Sequence, residues 1–379
     1  MTKSLRQAAG SLLVVGLGGT ELTGLERAWL KLVRPAGIIL FRRNIADVKQ
    51  TRGLLDEAAA LCSEHSLRCV DVEGGTVDRL RDALAPIPSA QAVAQVSFPR
   101  SQNRDLGHPT GLAREHGELV ARAVKAFGFN TTLAPVLDLA LPVSAEVMGT
   151  RVAAATAAGV TEYARGFLAG LAAHGVVGCG KHFPGLGGGT RDSHLETPAI
   201  QRGWKDLWRE DLAPYRELRE DLPMVMVNHA AYPDTPGKDR PASVSPYWIT
   251  TVLRKRIGYR GIIFSDDLEM GGILKFMPME EAVVAAVRAG MDLLEICHSP
   301  ELILRAYEAL LAEGERSAAF RKLLLARAKQ TERQRARLFA ESAPAALPAR
   351  QFEALRSKIL RFGETIAKAQ PGMETMHES

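Results

Sequence analysis

Gly261-Ile262-Ile263-Phe264-Ser265-Asp266-Asp267 is a short apolar run that stops on two adjacent carboxylates. Four to eight apolar residues, rich in β-branched and aromatic types and bounded by glycine, read as a fully buried strand. The carboxylates cannot share that burial without partners, so the strand must finish at a polar face. The same pattern recurs outward in both directions. Apolar runs at 12–18, 37–42, 68–73, 131–139, 176–183, 223–229, 261–266 and 292–298 are predicted as strands. Segments of helical periodicity lie between them at 22–33, 46–63, 112–127, 155–174, 204–219, 246–257 and 280–290, with another after Pro300. Eight strands, each followed by a helix, give an α/β fold, a (β/α)8 TIM barrel. A doubly wound open sheet is the alternative, but no Gly-x-Gly-x-x-Gly follows an early strand.

Six of the eight runs end in ionisable or amide groups: Asp71 and Glu73, Asp138, Lys181 and His182, Asn228 and His229, Asp266 and Asp267, Glu295 and His298. In a barrel these strand ends converge on the face that carries the active site. The run ending in Lys181-His182 continues as Phe183-Pro184-Gly185-Leu186-Gly187-Gly188-Gly189-Thr190-Arg191-Asp192-Ser193-His194. So many glycines lose much backbone entropy on ordering, which chemistry explains better than packing does.

The chain has 379 residues, 46% hydrophobic and 24% charged, with a net charge of +5, as expected of a soluble enzyme. The basic stretch 316–337 interleaves its charges with Leu and Ala and holds one aromatic, Phe320, so it reads as a solvated helix face and no nucleic-acid partner is expected. Cys62, Cys69, Cys179 and Cys297 show no metal or disulfide spacing, which suits a reducing, cytoplasmic compartment. The first apolar run is short and glycine-broken, a strand and not a signal peptide, and no run is long enough to span a membrane. The expected organisation is a barrel over 1–315, a C-terminal helical extension over 316–369 and a disordered tail over 370–379. Residues 84–111, rich in Pro, Ser and Gln, read as a long surface excursion, and His116 as an ordinary surface or helix position.

Five motifs in order resemble glycoside hydrolase family 3, in particular the bacterial β-N-acetylglucosaminidases of cell-wall recycling. They are Gly37-Ile-Ile-Leu-Phe-x-Arg-Asn44, Asp71-x-Glu-Gly-Gly-x-Val-x-Arg79, Leu133-Ala-Pro-Val-Leu-Asp138, the 181–194 loop, and Phe264-Ser-Asp-Asp-Leu-x-Met270. The resemblance implies a (β/α)8 barrel and a retaining exo-glycosidase that removes β-linked N-acetylglucosamine, here from peptidoglycan fragments. It makes Asp266 the nucleophile, His194 the general acid/base and Asp192 the partner of His194. It makes Asp71, Arg79, Arg151, Lys181 and His182 the groups that bind the sugar. Thr76 and Val152-Ala153-Ala154 depart from the family pattern near the expected sugar site, which bears on leaving-group preference and rate.

The chemistry is consistent in itself. Retaining cleavage needs a carboxylate to attack the anomeric carbon and a proton donor for the leaving oxygen. A histidine of pKa ~6.5 beside a carboxylate supplies that proton near neutral pH. No cofactor and no metal are required, and a monomer or weak homodimer is expected. The alternatives are a β-glucosidase or xylosidase, a phosphorylase favoured by a histidine acid/base, a metal-dependent barrel hydrolase using His182, His194, His229 and Asp266, and a sugar-binding protein without catalysis. Trp204 and Trp208, one turn apart, read as packing, and His229 as either a pocket or a core histidine.

Overall fold

A computed structural model of the chain describes residues 4–97, 109–189, 197–238, 240–339 and 347–370. Eight parallel strands close into a barrel, each hydrogen-bonded to its sequence neighbours and the first to the last. They are β1 (Leu13–Gly16), β2 (Gly37–Leu40), β3 (Leu67–Val70), β4 (Thr131–Thr132), β5 (Val177–Phe183), β6 (Met224–Val227), β7 (Ile262–Asp267) and β8 (Leu293–Ile296). Closure is fixed by the register Val14 to Glu295 between β1 and β8. The predicted barrel is therefore present, and an open sheet is excluded.

Successive side chains of a strand point to opposite faces. Val14, Ile39, Cys69, Leu133, Cys179, Met224, Met226, Phe264 and Leu293 accordingly pack together in the barrel interior. The outward set joins the larger core beneath the helices, including Val15, Ile38, Val70, Val225 and Ile263. Among the helices are Gly24–Val33, Val48–Ala60, Pro109–Ala126, Ala157–Ala173, Met279–Ala289 and Pro300–Arg316. Gly24–Val33 starts two residues later than expected, behind the N-cap Thr23. Thr23 Oγ1 accepts the Glu26 N–H at 3.1 Å and Glu26 Oε2 accepts the Thr23 N–H at 2.7 Å, satisfying two donors that the first helical turn leaves open.

Four expectations are revised. The run at 131–139 is regular only over Thr131–Thr132, because Pro135 has no N–H to continue the ladder. The run at 68–73 leaves the barrel after Val70 and folds back as an antiparallel hairpin, Val72–Gly74 with Val77–Asp78. That turn needs Gly74 and Gly75, at φ +89° and +63°, and a Cβ on Gly74 would lie 2.0 Å from Pro88 O. Finally, the segment after Leu84 is not a loose surface excursion. Ala90–Ser97 is a helix that buries Ala90, Val93, Ala94 and Val96. His116, read as an ordinary surface or helix position, does lie on the helix Pro109–Ala126 but is fully buried, with Tyr163 Oη 3.0 Å from its Nδ1 and its ring stacked on Phe362.

Beyond the barrel, Ala318–Leu338 and Ala349–Ala369 pack back onto it. Arg335 is fully buried, and its Nη1 donates to the carbonyls of Ala36, Glu64 and His65 at 3.1, 2.8 and 3.1 Å. Leu338 and Phe339 pack against the inner barrel cluster. Of the expected tail, only Gln370 lies among the described residues.

Candidate active site

At the C-terminal ends of the strands lies a cavity of about 440 Å³, lined among others by Asp71, Arg79, Arg151, Lys181, His182 and Asp266. Six of the eight site residues expected from the sequence thus share one pocket, large enough for a sugar ring. The other two, Asp192 and His194, lie outside the described residues.

A buried charge network holds the floor. The Lys181 ammonium lies 2.8 Å from Asp71 Oδ1 and 2.6 Å from Glu73 Oε1. Arg151 grips the same Glu73 with both arms, Nε to Oε2 at 2.9 Å and Nη2 to Oε1 at 2.8 Å. Burial alone would raise the Glu73 carboxyl, but Arg151 and Lys181 hold it well below the usual carboxylate range. Burial would lower Lys181, yet Asp71 and Glu73 push it above its ordinary value. Glu73 is thus the hub that spaces two cations, a role that its position after Asp71 does not reveal. Arg79 comes from the hairpin, with Nη2 3.8 Å from Asp71 Oδ2 and its guanidinium 5.8 Å from the Phe41 ring centroid.

His182 is oriented by Asp138. Asp138 Oδ2 lies 2.7 Å from Nδ1 and accepts the His182 N–H at 3.2 Å, and Oδ1 accepts the Leu186 N–H at 2.6 Å. With Nδ1 so engaged, Nε2 is left to the cavity, where Arg151 Nη2 approaches it at 3.4 Å. An amide in place of the Asp138 carboxylate offers one acceptor to three donors. Asp138→Asn is expected to lower kcat/KM by about 10–100-fold, the value of one or two unsatisfied buried donors. Kinetics at saturating and limiting substrate check this, and an unchanged kcat/KM would remove Asp138 from the site.

The two carboxylates that end β7 have separate environments. Asp266 reaches the cavity, and its Oδ1 accepts the Asp267 N–H at 3.0 Å. Burial would raise it, but the imidazoles of His182 and His229, that N–H and Lys181 outweigh burial and hold it below the ordinary carboxylate range. Asp267 is pushed up to about 7 by burial, opposed by the Glu269 N–H and reinforced by Glu269 and Asp266. Its Oδ1 accepts the N–H groups of Glu269 and Cys297 at 3.0 and 3.3 Å, which caps the turn. Neighbouring carboxyls tuned in opposite directions mark Asp266 as the one kept ionised. His229 resolves as a core histidine: it is fully buried, with Nδ1 2.7 Å from Ser243 Oγ and Nε2 2.9 Å from the Asp267 carbonyl.

Asp267, Glu269 and His298 also bring ligand-type atoms together. Glu269, however, already accepts the N–H groups of Cys297, His298 and Ser299, where Pro300–Arg316 begins, so the group reads as a clamp on a helix N-terminus. Phe41 and His298 stack at the cavity rim with centroids 5.4 Å apart. Arg43 spans three strand ends, donating to Leu17 O at 3.0 Å and Cys297 O at 2.6 Å. The aromatic contact of Trp204 with Trp208, 5.5 Å between centroids, is packing, as expected.

The described glycines of the 184–189 loop serve close approach. A Cβ on Gly187 would lie 2.6 Å from Leu139 O, and one on Gly188 would lie 2.7 Å from Arg202 Cδ. This part of the loop is seated against the barrel, with Leu186 at the cavity wall.

The family model for the N-terminal domain of glycosyl hydrolase family 3 matches residues 4–324. The chain belongs to glycosyl hydrolase family 3. This family 3 protein is 39% identical over 292 residues to a β-hexosaminidase of Alkalilimnicola ehrlichii, covering 77% of this chain and 82% of the relative. A β-N-acetylglucosaminidase from a Paenibacillus species superposes with a TM-score of 0.82 at 30% identity, covering 95% of this chain and 69% of that one. NagZ from Neisseria gonorrhoeae, solved with N-trifluoroacetyl-D-glucosamine, gives 0.75 at 28% identity, covering 93% and 98%. The family 3 protein is a glycoside hydrolase built on the (β/α)8 barrel. No described helix is long and apolar enough to cross a membrane.

Proposed function

We propose that the chain is a retaining exo-β-N-acetylglucosaminidase in which Asp266 is the nucleophile and His194, assisted by Asp192, is the general acid/base. Asp266 attacks the anomeric carbon while the bond to the leaving oxygen breaks, and that oxygen takes the proton of His194. Water then attacks the glycosyl-enzyme, His194 takes a proton back, and Asp266 leaves. Asp71, Arg79, Arg151, Lys181 and His182 bind the ring hydroxyls and the acetamide.

The observation that carries this reading is the position of Asp266 in one cavity with the Lys181–Asp71–Glu73–Arg151 network and His182. Leu186, eight residues before His194 in the same glycine-rich loop, lines the cavity wall. The substrates of choice are peptidoglycan fragments, whose acidic groups suit Arg42 in the cavity lining. Four buried, unpaired thiols support a reducing, cytoplasmic setting. Among the described residues the exposed large apolar side chains are spread over four segments of the sequence, which fits a monomer or weak homodimer.

Aryl β-glycosides of N-acetylglucosamine, glucose and xylose, assayed with and without phosphate, test the reading. Hydrolysis of the first, independent of phosphate, is expected; release of a sugar 1-phosphate would make the protein a phosphorylase. His194→Ala is expected to lower turnover of a poor leaving group at least about 10²-fold more than that of an activated one, the size of general acid catalysis. Equal losses on both substrates would remove His194 as the acid.

A further inference from the structure

Glu295 is a buried acid that neither the nucleophile nor the charge network accounts for. Strand alternation turns Leu293 and Glu295 of β8, and Cys297 just after it, inward, and Leu293 and Cys297 join the apolar interior of the barrel. Glu295 itself is 2% exposed and lines the cavity, as do Ile39, Leu133 and Met226. Its backbone N–H is fixed by Ser265 Oγ at 2.9 Å, and the Cys297 thiol donates to its Oε1 at 3.6 Å.

Among the described residues no Lys, Arg or His pairs with Glu295. The cation nearest in effect, Lys181, is held by Asp71 and Glu73. An ionised carboxylate buried without a cation costs several kcal/mol, and such a group takes up a proton instead. Burial first, then Asp267, Asp71 and Asp266, push Glu295 well above the ordinary carboxyl range, in line with the geometry. A neutral carboxylic acid has what a carboxylate lacks, an O–H donor. A buried donor needs an acceptor, and the cavity above this strand is where an incoming oxygen would supply one.

We infer that Glu295 keeps its proton and donates a hydrogen bond to an oxygen of the sugar bound in the cavity, as a binding residue that reads a neutral hydroxyl, ring or carbonyl oxygen. This rests on the sugar-pocket reading above. It gives the pocket a donor without adding a third negative charge beside Asp266 and Asp71.

The test compares Glu295→Leu, which removes the donor, with Glu295→Gln, which keeps a neutral donor of similar shape. Native enzyme is first shown to cleave an aryl β-N-acetylglucosaminide; failure there sinks the functional reading and leaves Glu295 to be tested by calorimetry with N-acetylglucosamine. Glu295→Leu is expected to raise KM about 10–100-fold, the loss of one buried hydrogen bond, with a melting temperature equal to or above that of the native chain. Glu295→Gln is expected to recover most of that affinity. Two results overturn the inference: a Gln variant as impaired as the Leu variant, which would mean that the ionised acid is needed, or an unchanged KM in Glu295→Leu, which would mean no contact with the sugar. Should the Leu variant not fold, the Gln variant decides alone, with a KM more than about ten-fold above native counting against the proposal.

Discussion

Asp266→Asn is expected to reduce turnover by about 10⁴-fold or more while leaving N-acetylglucosamine bound with near-native affinity. The two outcomes separate because the side chain's tasks separate. Removing a nucleophile that acts as part of a unit typically costs four to six orders of magnitude in rate. The groups proposed to hold the sugar are organised elsewhere: Lys181 on Asp71 and Glu73, His182 on Asp138, Arg151 on Glu73. None of those contacts passes through Asp266. The decisive measurement is mass spectrometry after reaction with a slow fluorinated sugar. Native enzyme should carry a covalent adduct on the peptide that contains Asp266, and Asp266→Asn should carry none. An N-acetylated sugar also has an internal alternative, attack by its own acetamide oxygen, which leaves no adduct. An unlabelled native enzyme that still retains configuration would move the nucleophile from the protein to the substrate.

Glu73→Gln is the second large effect, and it falls on stability. Glu73 is the shared counter-ion of Arg151 and Lys181, with only 2% of its side chain exposed. Breaking a buried pair by removing one partner costs about 3–5 kcal/mol, because the remaining charges stay buried. At roughly 2–4 °C per kcal/mol, the melting temperature should fall by about 6–20 °C. The pH dependence follows from the depressed carboxyl. Its stabilisation is fully present above the unfolded carboxyl range, near pH ~4.5, and is lost as the pH falls through the lower folded value. The gap between native and variant should therefore be constant from neutral to mildly acidic pH and should close only in strong acid. A gap that instead widens on acidification would contradict an ionised Glu73. Affinity for the sugar should fall as well, since both cations lose the group that spaces them.

How much of this was legible beforehand depends on residue type. The apolar runs predicted all eight strands because a parallel barrel buries both faces of each, leaving continuous β-branched stretches between polar ends. Strand limits were less legible where chemistry cut them short, at Pro135 and at the Gly74-Gly75 turn. The carboxylate, lysine, arginine and imidazole groups that meet in the cavity were read from strand ends and motifs. Glu73 and Asp138 were noticed as strand-end acids, but their partners were not, because an ion pair between residues 78 apart leaves no mark in local spacing. Phe41 and Cys297 belong to apolar runs, and nothing in such a run says which face opens into a pocket; Glu295 was read as a strand-end acid of the active-site face, but its lack of a cationic partner was not. The buried helix within 90–97 was hidden by the polar composition around it.

The anchoring of Ala318–Leu338 has a consequence for where this enzyme ends. The family match stops at residue 324, yet Arg335, Leu338 and Phe339 lie beyond it. Together they act as a stopper for the end of the cylinder opposite the catalytic mouth. The guanidinium ties down three carbonyls from the segments entering β2 and β3, and the two apolar side chains close off the inner core. A chain trimmed to the family boundary would be an uncorked tube, with those carbonyls and the lower interior layer open to water. What looks like an appendage in the sequence is the floor of the barrel.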